Sequence, residues 1–312
     1  MARARIVISE FMDAPAVERL RRDFEVDYRP MLVDDPGALA AALAAADAWV
    51  VRNRTQVRGA PLVGASRLRV VGRLGVGLDN IDLEACAARA IRVIPATGAN
   101  AESVAEYVVA TAMILLRGAA YLSTAAVGAG RWPRQMLSRG RELAGKTLGL
   151  VGFGSIGQVT ARKARAMGMG VVAHDPALDP GAAAWRECGA QPAGLDALLD
   201  RSDVVSLHLP LVAATRGLFG KERLARMRPG AILVNTARGG IVDEAALAIA
   251  LHEGRLGGAA LDVFADEPLG PGSPLAAAPN LILTPHIAGV TQESNERVSA
   301  LVAERVAEAL AG

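Results

Sequence analysis

Short runs of β-branched and other apolar residues alternate with Ala- and Leu-rich stretches along most of the chain. Residues 5–8, 48–51, 69–73 and 92–94 read as strands, with helices over 15–22, where Pro15 sits near the start, and 83–89. Residues 101–116 give the least interrupted helical pattern, which Gly128-Ala-Gly130 and Arg131-Trp-Pro133 end. A second alternation follows, with strands at 146–151, 170–173, 204–209, 231–235, 258–262 and 281–283, helices between them, and a closing helix over 295–310. Strands alternating with helices predict crossover units and parallel sheets. No segment repeats at a fixed period.

The length of 312 residues suggests two domains, at ~100–200 residues per domain. Apolar residues make up 52%, enough for a large core, and disorder is excluded on that ground. With aromatics at 4%, the core must come from Ala, Val, Leu and Ile. A net charge of +2, without long like-charge blocks, leaves no electrostatic footprint for nucleic acid. Cys86 and Cys188 stand alone and suit neither a disulfide framework nor a zinc site, so a reducing, cytoplasmic setting is expected. The start carries too short an apolar run for a secretory signal. The best membrane candidate, residues 107–130, is interrupted by Arg117.

Gly152-Phe-Gly154-Ser155-Ile156-Gly157 follows an apolar strand and precedes a helical pattern at 155–167. Alone, such glycine spacing is weak. In this setting it permits a tight turn, close approach of a pyrophosphate, and close helix–sheet packing. The helix start offers free N–H groups to phosphate. Asp175, eighteen residues after Gly157, stands where an acid binds the adenosine ribose and repels a 2′-phosphate, so NAD is favoured over NADP. As a lone residue before Pro176, Asp175 would read as a turn residue. A methyltransferase loop shares these features, so the motif by itself does not establish redox chemistry.

Of four histidines, His174 adjoins Asp175, and His252 falls near a helix end, where a surface cap is the default. His208 and His286 both end strands, and position alone does not separate them. Arg238 lies just past a strand in Asn235-Thr236-Ala237-Arg238-Gly-Gly240. Asp262 ends another strand, and Glu267 is on the loop beyond it. Each has a bland reading, as a loop Arg, a helix-cap Asp or a turn Glu. Their recurrence at successive strand ends points to a ligand site.

These segments, with His208-Leu-Pro210, Leu-Asp-Val-Phe264 and Thr-Pro-His-Ile-Ala-Gly289, resemble the D-isomer-specific 2-hydroxyacid dehydrogenases over essentially the whole chain. The resemblance implies two doubly wound α/β domains. A Rossmann NAD-binding domain, residues 99–286, is inserted into a flavodoxin-like substrate domain, residues 1–98 plus 287–312. It implies a catalytic set of Arg238, Glu267 and His286. It places Gly152, Gly154, Ser155, Ile156, Gly157, Asp175, His208, Pro210, Thr236, Ala237, Arg238, Asp262, His286 and Gly289 on NAD, and it calls for no metal. Arg238 would hold the 2-oxo acid carboxylate, and His286 would give the carbonyl oxygen its proton. Glu267 would favour the charged imidazole and fix its tautomer, and Asp262 would orient the nicotinamide. The helix at 101–116 resembles one that packs two subunits together, implying a homodimer.

Residues 48–57, with Arg52, Asn53 and Arg54, resemble the substrate loop of 3-phosphoglycerate dehydrogenases. Gly72-Arg-Leu-Gly-Val76-Gly77 resembles the loop that grips the substrate carboxylate. Two arginines suit a second anionic group, although solvated surface charge is their commoner fate. Many of those enzymes continue into a regulatory domain, so with the sequence ending at Gly312 a serine-pathway role is not expected. A closer resemblance is to the (S)-sulfolactate dehydrogenases, carried by Ile-Ser-Glu-Phe-Met-Asp13, Trp-Pro-Arg-Gln135 and Ala-Gly-Val-Thr-Gln-Glu-Ser-Asn295. Alternatives are 3-phosphoglycerate, glycerate/hydroxypyruvate or another D-2-hydroxy acid, and, in a different class, an NAD-sensing corepressor that binds partner peptides. Turnover of NADH with 2-oxo acids separates the classes.

Overall fold

A computed structural model of the protein describes residues 3–118, 123–135 and 137–312. The chain divides into two compact units, Met1–Asn100 with Val290–Gly312, and Ala101–Gly289.

In the first unit, among the described residues, five strands form one all-parallel sheet in the order β2-β1-β3-β4-β5. These are β1 (Arg5–Ile8), β2 (Glu25–Tyr28), β3 (Ala48–Val51), β4 (Val70–Arg73) and β5 (Arg92–Pro95). The order is that of flavodoxin-like folds. Alternate side chains serve opposite faces: Ile6, Ile8, Val50 and Val70 pack beneath the helices Ala14–Asp23 and Gln292–Ala311, while Val7, Trp49, Val51 and Val71 pack with Leu39, Leu43 and Leu62. Gly72 lets the closing helix approach the sheet, since a Cβ there would meet the Val302 side chain at 2.8 Å. Asp13-Ala-Pro15 opens the first helix with proline in its first turn, where no N–H is missed.

In the second unit, among the described residues, seven parallel strands run in the order β12-β11-β10-β9-β6-β7-β8. They are β6 (Thr147–Val151), β7 (Gly170–His174), β8 (Gln191–Pro192), β9 (Val204–Leu207), β10 (Ile232–Asn235), β11 (Gly258–Leu261) and β12 (Leu281–Leu283). This is a Rossmann order extended by one strand, and the direction of winding reverses between β6 and β9. The helices Ala101–Leu116 and Ser155–Ala166 lie together over one face, where Val104, Val108 and Leu115 join Leu148, Leu150 and Phe153. Leu198, Leu224, Leu247 and Leu251 cover the other face.

The doubly wound α/β class is as the sequence predicts. The differences lie at edges. β2 and β8 have no counterpart in the apolar pattern because both are edge strands, one with two acids among its four residues and one ending in proline. The run at 204–209 stops at Leu207, and the closing helix starts at Gln292 because the Thr291 hydroxyl caps Ser294 N–H. Cys86 and Cys188 are buried and free. Among the described residues no helix is long and apolar enough to cross a membrane, and no His, Cys, Asp and Glu group could hold a metal. Residues 119–122, within the 107–130 stretch, lie outside the described residues.

Candidate active site

Because every strand of the second unit is parallel, the segments that follow β6, β7, β9, β10, β11 and β12 all emerge at one edge. Gly152 leaves β6 with φ +97°, and a Cβ on it would run into the His208 carbonyl that follows β9. The two strands flanking the reversal are thereby held backbone to backbone. Gly157 sits as tightly against the Gly152 carbonyl, whereas a Cβ on Gly154 would meet nothing within 4 Å. The helix begins at Ser155 with no side-chain cap, leaving its first N–H groups directed into that open space. Asp175 fixes this loop from β7: its Oδ2 accepts Phe153 N–H at 2.8 Å and its Oδ1 accepts Ala177 N–H at 2.9 Å.

After β10, Asn235 shapes the next loop with both ends of its amide. Its Oδ1 accepts Ala237 N–H and its Nδ2 donates to the Arg238 carbonyl, each at 3.0 Å. The half-buried Arg238 is presented by this turn. Gly239 has no room for a side chain, because a Cβ there would overlap the Phe264 carbonyl. The Thr236 hydroxyl is buried without a hydrogen-bond partner among the described residues. An uncapped helix start, open space at Gly154, an acid beyond the next strand and an unpartnered hydroxyl are what a phosphate- and hydroxyl-rich dinucleotide requires. The residues present fit such a group.

Asp262, 1% exposed, follows β11 and accepts three bonds: Thr284 Oγ1 at 2.6 Å and Ile287 N–H at 2.7 Å on Oδ1, and Ala288 N–H at 2.8 Å on Oδ2. Thr284 Oγ1, having given its proton to the carboxylate, accepts from the Tyr107 hydroxyl at 2.7 Å. Burial keeps that phenol's pKa above its ordinary value, so it stays a donor. The chain Tyr107–Thr284–Asp262 thus frames the turn containing His286. His286 itself has φ +57°, a conformation rare outside glycine and held against its strain by these neighbours. Its Nδ1 lies 2.8 Å from Glu267 Oε2, and Glu267 Oε1 accepts Phe264 N–H at 3.1 Å.

The tie between the two strand-end histidines is resolved by surroundings. Among the described residues the His208 ring bonds only the Ser206 hydroxyl, at 3.0 Å from Nε2, and burial pushes its pKa down to about 4. It is neutral near pH 7 and has no carboxylate partner among the described residues. His286 is 41% exposed at the side chain and has a carboxylate partner. His174 donates from Nδ1 to the Ala193 carbonyl at 3.0 Å, and His252 donates from Nδ1 to the Ala248 carbonyl of its own helix at 2.8 Å.

In the first unit, the segment after β3 is held by its backbone. Glu10, 4% exposed, accepts N–H bonds from Arg52 at 2.8 Å, Thr55 at 3.0 Å and Arg54 at 3.1 Å. Asn80 donates to the Arg52 and Thr55 carbonyls at 2.8 and 2.6 Å. The two arginines then part company. Arg54 is exposed and ion-paired to Asp34. Arg52 is half-buried, donates to Asn295 Oδ1 at 3.0 Å, and lies 5.6 Å from the Phe11 ring centre. Burial pulls its pKa down, while Glu10 and Tyr28 pull it up. Asn53 is exposed, and Val76 and Gly77 are half-buried after β4.

Within the second unit the structure brings His286, Glu267 and Asp262 into one bonded group, with Arg238 on the neighbouring strand-end loop. Ser155, Ile156 and Asp175 surround the glycine turn. Pro210 is exposed beyond His208, and Gly289 ends the unit. Through these bonds Asp262 holds the His286 turn. Sequence reading missed Tyr107, Thr284, Glu10, Asn80 and Asn295. Glu10 left a trace as a carboxylate two residues past an apolar strand, and Thr284 and Asn295 stand within quoted motifs without a role of their own.

The model of the D-isomer specific 2-hydroxyacid dehydrogenase NAD binding domain matches residues 109–288. An (S)-sulfolactate dehydrogenase of Chromohalobacter salexigens is 53% identical over 305 residues, 98% of each chain. A D-3-phosphoglycerate dehydrogenase of Mycobacterium tuberculosis is 44% identical over 92% of this chain, which spans only 54% of that protein's length. The crystal structure of a glyoxylate reductase from Paecilomyes thermophila superposes with TM-score 0.85 at 30% identity, covering 99% of this chain and 97% of that one.

Proposed function

Since the chain belongs to the D-isomer-specific 2-hydroxyacid dehydrogenases, NAD-dependent enzymes acting on the CH–OH group, we propose that its substrate pair is (S)-sulfolactate and sulfopyruvate. The observation that carries this reading is Arg52: a half-buried guanidinium bonded to a neutral amide, with no carboxylate paired to it among the described residues. A cation held this way suits a second anionic group on the acid, and a sulfonate presents three acceptor oxygens to it. The 53% identity to a sulfolactate dehydrogenase over nearly the whole chain supports the same choice. The (S) label agrees with the D-specific family, because CH₂SO₃⁻ outranks carboxylate in naming priority.

In this reading the glycine turn, Ser155, Ile156, His208, Pro210, Thr236, Ala237 and Gly289 hold NAD, with Asp175 on the adenosine ribose. The bound cofactor supplies or accepts hydride. Arg238 takes the carboxylate next to the reacting carbon and polarises its oxygen, with the backbone at Val76 and Gly77 serving the same carboxylate. His286 donates a proton to the carbonyl oxygen in reduction and recovers it in oxidation. Its Nδ1, on Glu267, leaves Nε2 as the exchanging nitrogen. Arg52 selects the distal anion, with Asn53 beside it, while Arg54 is paired to Asp34. The balance is one 2-oxo acid, one hydride and one proton to one 2-hydroxy acid. The protein acts in the cytoplasm as a symmetric homodimer.

The test is NADH oxidation with sulfopyruvate, oxaloacetate, hydroxypyruvate and pyruvate, compared by kcat/KM. Sulfopyruvate is expected to lead. A lead by hydroxypyruvate or pyruvate overturns the assignment.

A further inference from the structure

Arg52 and Arg54 are adjacent in an extended segment and carry the same charge, yet their surroundings differ. Arg54 spends its guanidinium on Asp34 in solvent. The Arg52 guanidinium is instead oriented by two neutral groups. Asn295, on the closing helix 243 residues later, accepts one N–H at 3.0 Å, and the face of Phe11 supports the guanidinium plane at 5.6 Å. A carboxylate in place of Asn295 would have formed a tighter pair. It would also have neutralised the one of the two arginines that, among the described residues, has no ion-pair partner. Asn295 is itself fixed by the first turn of its helix, where its N–H bonds the Thr291 carbonyl at 3.0 Å. The backbone of Arg52 is fixed from both sides by Glu10 and Asn80.

We propose that Asn295 is a specificity-determining positioning residue: it aims Arg52 at the substrate's second anionic group and, being neutral, leaves that arginine's charge for the substrate. Asp34 correspondingly withdraws Arg54 from recognition. This inference rests on the proposed dianionic substrate.

The experiment compares kcat/KM for sulfopyruvate with that for pyruvate in the same preparation of the full-length enzyme. The ratio cancels any loss of folded enzyme in a variant. Hydrogen bonds to charged groups correspond to roughly ten- to a hundredfold effects. Arg52→Ala is expected to lower the ratio about a hundredfold, and Asn295→Ala about tenfold, chiefly through KM. Asn295→Asp should approach Arg52→Ala, because a carboxylate there captures the arginine. Asn295→Gln should regain part of the ratio lost in Asn295→Ala. Arg54→Ala should change the ratio less than about threefold. If Arg52→Ala lowers the ratio while Asn295→Ala and Asn295→Asp leave it within about twofold, the role of Asn295 is overturned. If Arg54→Ala matches Arg52→Ala, the withdrawal of Arg54 is overturned. A ratio unmoved by Arg52→Ala defeats instead the dianionic-substrate reading beneath both.

Discussion

His286 Nδ1 and Glu267 Oε2 lie 2.8 Å apart, and Glu267 reaches His286 while its other oxygen holds the Phe264 N–H. The imidazole is thereby given both an orientation and a tautomer, with the proton on Nδ1 directed at the carboxylate. His286→Gln should lower kcat by ~10²–10⁴-fold, the usual contribution of a general acid. NADH binding, followed by fluorescence titration, should stay within about threefold of the original. A variant that keeps more than a tenth of the turnover removes His286 from the proton step.

Asp262 is buried and satisfies three donors that shape the His286 turn. Asp262→Asn would set an amide N–H against at least one of them, leaving a buried polar group unpaired at about 1–3 kcal/mol. A lower melting temperature is expected together with a fall in kcat, whereas Thr284→Val should show the same signs more weakly. An Asp262→Asn enzyme with unchanged melting and unchanged kcat would show that the cradle does not position the histidine.

Asp175 bonds Phe153 N–H within the glycine turn and stands where the adenosine ribose is expected. NADH should be used in preference to NADPH. Asp175→Ala should lower kcat/KM for NADH by about tenfold or more and that for NADPH by less, so the preference narrows. Equal efficiencies with the two cofactors in the unaltered enzyme would contradict the ribose assignment.

His208 has its folded-state pKa near 4 because burial opposes its charge, against 6.5 as its ordinary value. The unfolded chain therefore takes up a proton between those values that the folded chain refuses. Stability from this group is complete above about pH 6.5 and is lost as pH falls towards 4, by up to about 3 kcal/mol. His208→Asn should flatten the pH dependence of denaturant-measured stability across that window. A stability curve of unaltered slope in the variant would count against it.

The helix Ala101–Leu116 divides its apolar residues between an inner face, with Val108, Leu115 and Leu116 buried, and an outer one on which Met113 is 41% exposed. Val127 and Trp132 are exposed in the segment that follows. A symmetric pairing would cover such a surface. Light scattering should give a mass near twice the 32.3 kDa of one chain. A single-chain mass at working concentration refutes the dimer.

Much of the second unit was legible because its signals are local. The glycine turn, the strand-end Asp175 and the helix 101–116 are each written in consecutive residues. What stayed hidden is long-range. The bond from Tyr107 to Thr284 spans 177 residues and that from Arg52 to Asn295 spans 243, and neither leaves a spacing to read. Equal ranking of His208 and His286 was the right reading of position alone, because burial and a carboxylate 19 residues away separate them only once folded. The two arginines looked equivalent for the same reason. Asp34 and Asn295, which distinguish them, come from an early loop and the last helix.

Glu10 and Asn80 grip the 52–55 segment by its N–H and C=O groups, which every residue type except proline provides. Over 52–54 its path is therefore set by backbone groups, while the Thr55 side chain is buried against Ser9. Exchange of one acid for another can proceed there by drift in side-chain identity, with no change of framework to select for. A library randomised at 52, 53 and 54 with Glu10 and Asn80 held constant should consist largely of folded proteins differing in appetite, whereas one randomised at 10 and 80 should be mostly debris.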